Sequence, residues 1–178
     1  MRKYIYVAAV LIVAFLISTT MKSKPKNPLK VGDKVPAFTL QNQNGQWIKS
    51  TDVIGKQAAV IYFYPKDETP GCTKEACKFR DEFEVFKDLK AKVIGISSDN
   101  VASHKKFAEK YHLPFTLLAD INKQVRRLFG VPKSVIGLLP GRVTYVVNKK
   151  GTIIYIFNSQ FGAEKHIAKA IKALKMRG

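Results

Sequence analysis

Hydrophobic residues follow different periods in different parts of the chain, and each period predicts a different element. Residues 58–64 (AAVIYFY) are apolar without interruption and rich in β-branched and aromatic side chains, which predicts a buried central strand. From residue 73 to about 89, apolar side chains recur at every third or fourth position, which predicts an amphipathic helix. Residues 93–96 form a shorter apolar run and predict a second buried strand.

The remaining pattern predicts a single α/β domain. The other expected elements are a hairpin over residues 38–48 that turns at Asn44-Gly45, helices over 101–111 and 121–129, strands at 115–118, 143–147 and 152–157, and a closing helix at 163–174. This order of strands and helices predicts a mixed central sheet with helices on both faces. A chain of 178 residues suffices for one domain with a sizeable core and is too short for two ordinary domains.

The amino-terminal residues predict a membrane anchor or a signal segment. Residues 4–21 carry no charge and are flanked by basic residues on both sides. The run reaches the lower end of the length that spans a bilayer, and no small-residue cleavage site follows it, which favours an uncleaved anchor over a cleaved signal peptide. We therefore predict an N-terminal hydrophobic helix within residues 1–22, a linker at 23–30 and a folded domain over 31–178.

This leader predicts a membrane-anchored or exported protein. Membrane contact would be made through residues 4–21, and the domain would lie outside the cytoplasm, as in a periplasm. The expectation rests on export as the usual purpose of a leader on a protein with one predicted span. The flanking basic charges specify little about orientation, because they lie on both sides of the run.

The net charge of +18 raises the question of an anionic partner. Six basic residues and no acidic ones fall within the first 32 positions, so the rest of the chain carries 25 basic and 13 acidic residues, a net charge of +12. Such an excess is compatible with nucleic acid or an anionic membrane. However, the lysines of the last predicted helix share one face, as on an ordinary solvated surface, and the sequence has no zinc-finger or RNA-recognition signature. We therefore predict no nucleic-acid partner.

Cys72 and Cys77 are the only cysteines, and both fall at the start of the predicted long helix. A thiol in the first turn of a helix faces unpaired backbone N–H groups and the positive end of the helix dipole, which favour the reactive thiolate. The Pro70-Gly71 turn and many polar neighbours place the Cys72 sulfur at an exposed, electropositive helix end. The alternative is a small buried hydrophobic side chain, the usual role of a free cysteine. The polar neighbours favour the reactive thiol.

The spacing of the two cysteines constrains any disulfide between them. Five residues apart on an intact helix, they are turned by about 140° and their Cα atoms lie roughly 8–9 Å apart. A disulfide requires less than about 7 Å, so the helix start must unwind before the pair can join. This property suits a catalytic pair that alternates between two states better than a permanent structural disulfide.

Two other kinds of cysteine site fit the sequence less well. A thioredoxin-type dithiol uses C-x-x-C spacing, which closes without unwinding. A metal site would need further ligands, and the candidates are His104, His112 and His166, for each of which we expect a structural or solvated role. The strongest non-enzymatic alternative is a membrane-anchored, copper-binding chaperone of related fold, although its cysteines are expected one residue closer together, as C-x-x-x-C.

Residues 65–77 (PKDETPGCTKEAC) resemble the active-site segment of the peroxiredoxins, P-x-x-x-T-x-x-C. They are most similar to the bacterioferritin-comigratory or Q type, in which a second cysteine follows five residues later. The similarity extends from about Val31 to the carboxyl terminus and includes Gly141-Arg142 before a predicted strand. It implies a thioredoxin-like fold and a thiol-dependent peroxidase that reduces hydrogen peroxide and organic hydroperoxides without a cofactor.

The resemblance also implies a role for each matching residue. Cys72 would attack the peroxide, Thr69 would hydrogen-bond to it, and Pro65 would shield the pocket from water. Arg142 would hold a positive charge beside the thiolate as the O–O bond breaks. Cys77 would be the resolving thiol, which attacks the Cys72 sulfenic acid and forms an intramolecular disulfide. A thioredoxin-like dithiol would then restore both thiols, and a monomer suffices because both cysteines lie in one chain.

Overall fold

A computed structural model describes residues 28–133, 137 and 140–177, and this part of the chain is built around a seven-stranded sheet. The strands are β1 (Thr39–Asn42), β2 (Trp47–Lys49), β3 (Ala58–Phe63), β4 (Ala91–Ser97), β5 (Thr116–Ala119), β6 (Val143–Val147) and β7 (Ile153–Asn158). Their order across the sheet is β2-β1-β5-β4-β3-β6-β7. The central strands β3, β4 and β5 are parallel and the other neighbours antiparallel, so the predicted mixed sheet is confirmed.

Helices cover both faces of this sheet, as predicted, but unevenly. The described residues form α1 (Pro70–Asp81), α2 (Phe83–Asp88), α3 (Val101–Lys110), α4 (Gln124–Leu128) and α5 (Ala163–Arg177). On one face, α1, α2, α3 and α5 bury side chains such as Phe79 and Ile167 in a single core cluster. The other face is covered by the short α4, whose Val125 packs in a second cluster.

The uninterrupted apolar run of β3 follows from its place at the centre of the sheet. Val60 and Tyr62 belong to the core cluster on one face, whereas Ala59, Ile61 and Phe63 belong to the cluster on the other. Successive side chains of a strand point to opposite faces, and both faces are covered here. Every position of the strand from residue 59 on is therefore buried.

The helix predicted over residues 73–89 is wrong in its start and in its continuity. Pro70 occupies the first helical position, where a missing N–H leaves no hydrogen bond unmade, so α1 begins at the predicted Pro70-Gly71 turn instead of at residue 73. Glu82, with φ −97° and ψ 12°, lies in the bridge region and separates α1 from α2. Phe79 and Phe86 pack in the same core cluster on either side of this break. The hydrophobic period continues across it, which is why the pattern alone did not reveal it.

The register of β3 and β6 brings distant parts of the chain to one end of the sheet. Phe63 pairs with Val143 in this antiparallel pair. The segment that follows β3 and leads into α1 therefore lies beside the residues that precede β6. Residues 65–77 and Arg142 meet at this end.

The predicted hydrophobic helix within residues 1–22, and all but the last three residues of the predicted linker at 23–30, lie outside the described residues. Within the described ranges, none of the helices has the length and apolar character that crossing a bilayer requires.

Candidate active site

Cys72 lies in the first turn of α1, and its side chain is buried, with 2% exposed. The prediction of an exposed sulfur is therefore wrong. Cys72, Ala76 and Phe79 lie on the inward face of α1, and Glu75, one of the polar neighbours that suggested exposure, is buried with them. The N-cap residue Thr69 makes no side-chain bond to the helix, so the first-turn amides are left available to a negative charge.

Arg142 connects the sulfur to a buried carboxylic group. Its Nη2 donates to Cys72 Sγ at 3.3 Å, and its Nη1 donates to Glu75 Oε2. Gly71 makes room for this approach, because a Cβ at that position would lie 3.3 Å from Nη2. Burial lowers the pKa of Arg142, but the charges of Glu75 and Cys72 raise it by more. A fixed cation therefore faces the sulfur.

The loop before α1 holds the other two residues expected around the peroxide. Pro65 is half-buried directly after Tyr64, and the Thr69 hydroxyl donates to Lys66 O at 3.0 Å. Because its proton is used in this bond, Thr69 Oγ1 has lone pairs with which to accept a hydrogen bond from a hydroperoxide.

Cys77 lies further along α1 than Cys72, and both cysteines are free thiols. The helix is continuous from Pro70 to Asp81, so the roughly 8–9 Å expected between Cα atoms five residues apart applies to the pair. The structure is that of the reduced state, in which the two sulfurs cannot bond without unwinding of α1.

Arg126 on α4 supports the site, and the sequence did not reveal it. Its Nη1 donates to Gly141 O and its Nη2 to Tyr64 O, both at 2.8 Å. These carbonyl groups belong to the residues just before Arg142 and Pro65. Arg126 therefore ties together the two strand ends that carry the site. Arg126 and the exposed Arg127 are adjacent in sequence, and nothing in the pattern distinguished the buried one.

Replacing Arg126 with methionine is expected to lower the free energy of unfolding by about 3 kcal/mol, because two buried carbonyl groups lose charged donors. Chemical denaturation of Arg126→Met against the wild type measures the effect. Arg127→Met, on the exposed side of the same helix, is the matched control and is expected to change stability by less than about 0.5 kcal/mol. Equal losses in the two variants would show that the tether to Tyr64 and Gly141 contributes nothing.

Glu75 is a second supporting residue that the sequence analysis missed. It is fully buried, and burial raises its pKa to about 8, against the opposing effect of Arg142. A signal was present in the sequence: Cys72, Glu75, Ala76 and Phe79 follow the i, i+3, i+4, i+7 spacing of one helix face. Glu75 thus occupies a core position of an amphipathic pattern, where a carboxylic side chain indicates a buried polar partner.

His166 lies beyond Glu75 and is also fully buried. Its Nε2 lies 2.9 Å from Ser159 O and its Nδ1 2.8 Å from Thr144 Oγ1. Because Nε2 faces a carbonyl and must donate, Nδ1 is the acceptor of the neutral ring. Burial lowers the pKa of His166 to about 4; the bond to Ser159 opposes this and Arg142 adds to it.

The other two histidines lie apart from the Cys72 sulfur. His104 Nδ1 lies 2.9 Å from Asp67 Oδ2, and Asp67 also accepts hydrogen bonds from Tyr64 and Ser103. This buried network holds the loop before α1 against α3. His112 is exposed at the end of α3. In the part of the chain that the structure describes, no three or more His, Cys, Asp and Glu side chains are grouped as a metal site.

Comparison with known proteins agrees with this arrangement. The model of the AhpC/TSA family matches residues 31–156, which include both cysteines and Arg142. The chain belongs to the AhpC/TSA family. The resemblance to Q-type peroxiredoxins and the expected thioredoxin-like fold are confirmed by the relatives of this family that it matches.

Three of these AhpC/TSA relatives define the similarity. "Peroxiredoxin Q, chloroplastic" of Triticum aestivum is 54% identical over 144 residues, covering 81% of this chain and 66% of that protein. The protein of the same description from Populus jackii is 49% identical over 158 residues, covering 89% and 74%. The crystal structure of peroxidoxin BcpB from Mycobacterium tuberculosis matches with a TM-score of 0.77 and 35% identity, covering 84% and 99%. The chain spans just under two thirds of the wheat relative's length.

The comparisons overturn two expectations. The predicted location, membrane-anchored or exported with an extracytoplasmic domain, is wrong: the curated relatives are chloroplastic peroxiredoxins, and no described helix can cross a membrane. The apolar run that suggested it precedes the region that the family model matches. The copper-chaperone alternative also lacks support, because the relatives and solved structures reported above are peroxiredoxins or peroxidoxins.

Proposed function

We propose that this chain is a thiol-dependent peroxidase that reduces hydrogen peroxide and organic hydroperoxides in antioxidant defence. The observation that carries the proposal is the hydrogen bond from Arg142 Nη2 to Cys72 Sγ at the N terminus of α1. The helix dipole, the uncapped amides and the guanidinium all favour a negative sulfur there. Membership of the AhpC/TSA family and similarity to Q-type peroxiredoxins support the same reaction.

The first step converts Cys72 into a sulfenic acid. The Cys72 thiolate attacks one oxygen of the peroxide, and an S–O bond forms as the O–O bond breaks. The second oxygen leaves as water or an alcohol after it takes up a proton. Arg142 stabilises the negative charge as it moves from sulfur to the leaving oxygen. Thr69 accepts a hydrogen bond from the hydroperoxide and orients it, and Pro65 limits the access of water.

The second step closes a disulfide and opens the helix. Cys77 attacks the Cys72 sulfur and displaces water. The start of α1 unwinds for this attack, which draws Cys72 out of the core cluster that it shares with Ala76. The ion pair between Lys74 and Glu164 also ties α1 to α5, but both side chains are more than half exposed and the pair opposes unwinding only weakly. The unwound segment presents the disulfide to a reductant.

A thioredoxin-like dithiol completes the cycle by reducing the disulfide. The catalytic unit is the domain over residues 31–178, and the reaction requires no cofactor because sulfur carries the electrons. Both cysteines belong to one helix, so one chain performs every step and the protein acts as a monomer.

The variant Cys77→Ser tests the proposal by stopping the cycle after one step. With one equivalent of peroxide it is expected to accumulate the Cys72 sulfenic acid, which a dimedone adduct on Cys72 reveals by mass spectrometry. Steady-state peroxide consumption with thioredoxin is expected to stall after one turnover, unless an external thiol replaces Cys77.

The wild-type protein is the control for this experiment. One equivalent of peroxide should give it a Cys72–Cys77 disulfide and little dimedone adduct. Undiminished turnover of Cys77→Ser with thioredoxin would exclude Cys77 as the resolving thiol. Absence of any peroxide-dependent change at Cys72 in both proteins would exclude the peroxidase itself.

A further inference from the structure

Three buried polar side chains form a group behind Arg142, on the side away from solvent. Glu75 from α1, Thr144 from β6 and His166 from α5 are each at most 1% exposed. Glu75 Oε2 accepts from Arg142, but Oε1 has no hydrogen-bond partner among the described residues and lies 3.7 Å from His166 Nδ1. The peroxidase cycle proposed above gives this group no task.

An ionised Glu75 fits these surroundings poorly. His166 Nδ1 is the acceptor nitrogen of a neutral ring. An ionised Glu75 Oε1, itself an acceptor, would therefore face another acceptor and would receive no hydrogen bond. Leaving a buried, ionised carboxylate oxygen without a donor is costly, whereas a neutral carboxylic group buries no charge at this position.

The charged and titratable groups around Glu75 are consistent with a neutral carboxylic group. Arg142 is the cation beside it, and Arg142 also serves Cys72. Tyr62 on β3 is neutral, because burial raises its pKa well above its usual value. Burial raises the pKa of Glu75 itself to about 8 even with Arg142 in contact.

We infer that Glu75 is a neutral carboxylic acid in the reduced protein, with its proton on Oε1 facing His166, so that the charge of Arg142 is left to the Cys72 thiolate. His166 is then a positioning residue that acts on the sulfur through Glu75 and Arg142. This inference rests on the proposed function, since it assigns the group a task in peroxide reduction.

The stored proton balances the charges of the reaction. Before the attack the site holds one cation, Arg142, and one anion, the Cys72 thiolate. The attack makes Cys72 a neutral sulfenic acid and generates RO⁻, which takes up a proton from solvent, because the Glu75 proton lies behind Arg142 and faces His166. Arg142 has then lost its anionic partner at Cys72, so Glu75 releases its proton to solvent. In full, Cys72–S⁻, ROOH and Glu75–COOH give Cys72–SOH, ROH and Glu75–COO⁻. The negative charge passes from Cys72 to Glu75, and Arg142 has an anionic partner before and after.

The pH dependence of activity follows from this arrangement. As pH rises through about 8, Glu75 ionises and takes up the charge of Arg142. The second-order rate constant of the wild type with peroxide is then expected to fall roughly three- to tenfold, because the thiolate loses part of its electrostatic support. Glu75→Gln, which is neutral at every pH, is expected to lack this fall.

Stability is expected to respond with the same sign. Folding raises the pKa of Glu75 from 4.5 to about 8, so the folded state binds more protons in that window and stability falls as pH rises across it. His166, with its pKa lowered from 6.5 to about 4, contributes the opposite slope below pH 6.5. Between pH 6.5 and 8 His166 no longer contributes, so the difference in urea midpoint between wild type and Glu75→Gln should change across that interval.

Infrared difference spectroscopy tests the protonation directly. The spectrum of the reduced Cys77→Ser protein minus that of Cys77→Ser with Glu75→Gln, at pH 6.5, is expected to show the carbonyl stretch of a neutral carboxylic acid. One equivalent of hydrogen peroxide should convert this band into carboxylate bands. Glu84→Gln, an exposed carboxylate on α2, is the matched control and should show carboxylate bands only. Carboxylate bands alone for Glu75 at pH 6.5 would overturn the inference.

His166 variants test the positioning role. His166→Leu removes the ring that faces Glu75 Oε1 and is expected to move the fall in rate to lower pH by about one unit. His166→Asn keeps a polar atom near the position of Nδ1 and should reverse part of this shift. A purely structural His166 would leave this pH profile unchanged. If His166→Leu does not fold, Glu75→Gln decides: a loss of more than thirtyfold at pH 6.5 overturns the inference. Formation of the Cys72 sulfenic acid in Cys77→Ser tests the proposed function separately, because it does not depend on the protonation of Glu75.

Discussion

No peroxide consumption is expected from Cys72→Ser, whatever reductant is supplied. A serine hydroxyl does not ionise near neutral pH, so the helix dipole and Arg142 would have no anionic nucleophile to stabilise. Coupled thioredoxin turnover measures the steady state, and peroxide loss with stoichiometric protein measures a single turnover. Both are expected at the background rate, the largest effect that any substitution in this chain should have.

The fold of this variant should survive. Serine is slightly smaller than cysteine and can accept the hydrogen bond that Arg142 now donates to sulfur. We expect the free energy of unfolding to stay within about 1 kcal/mol of the wild-type value. Measurable turnover by a folded Cys72→Ser protein would move the nucleophile elsewhere, and Cys77 would be the remaining thiol.

The strands and the sheet class could be predicted because the patterns that define them are local. The run in β3 is apolar at every position, since the sheet is covered on both faces, and the strand predicted at residues 143–147 has the same bounds in the structure. The interruption at Glu82 left no trace in the hydrophobic period, because α1 and α2 bury their aromatic residues in one core cluster. Hydrophobic periodicity indicates which face of a helix is buried. It does not reveal a change in backbone direction when the same face stays buried on both sides of the change.

The residues of the site could be predicted only where they belong to a recognisable sequence motif. Cys72 and Arg142 are 70 residues apart, and their contact depends on the β3–β6 register, for which the sequence holds no local signal. Family resemblance supplied Arg142, but Arg126 and Glu75 were missed, and His166 was expected only to have a structural or solvated role. Each is a buried polar residue whose partner comes from another element, so its environment exists only in the folded state.

Polarity also misled where burial and function coincide. The polar residues around Cys72 predict an exposed sulfur, yet Asp67 and Glu75 are buried with it. A reactive thiolate needs charge and hydrogen bonds near it, and these can be provided inside the protein as well as at its surface. The polar residues therefore still favour a reactive thiol, which stays a prediction, although the inference about exposure was wrong.

Arg142→Gln is expected to lower the rate constant for peroxide reduction by about a hundredfold to a thousandfold, the usual consequence of removing a donor aimed at developing charge. Arg142→Lys should lose less, since it keeps the charge, but one ammonium cannot reproduce the two nitrogens that serve Cys72 and Glu75. Stopped-flow fluorescence measures the rates, and Arg127→Gln on the exposed face of α4 is the control. A loss of less than about tenfold in Arg142→Gln would remove Arg142 from the catalytic machinery.

The free energy of unfolding of Arg142→Gln distinguishes an ionised Glu75 from a neutral one. If Glu75 is ionised, Arg142→Gln leaves an unpaired buried charge and is expected to cost about 3–5 kcal/mol. If Glu75 is already neutral, as inferred above, the glutamine amide can still donate to Oε2, and the cost should be about 1–2 kcal/mol. Urea denaturation at pH 6.5 distinguishes the two values. A small stability loss joined to a large rate loss is the result expected of a cation held for the thiolate; a large loss of both would mean that Arg142 is held chiefly to neutralise Glu75.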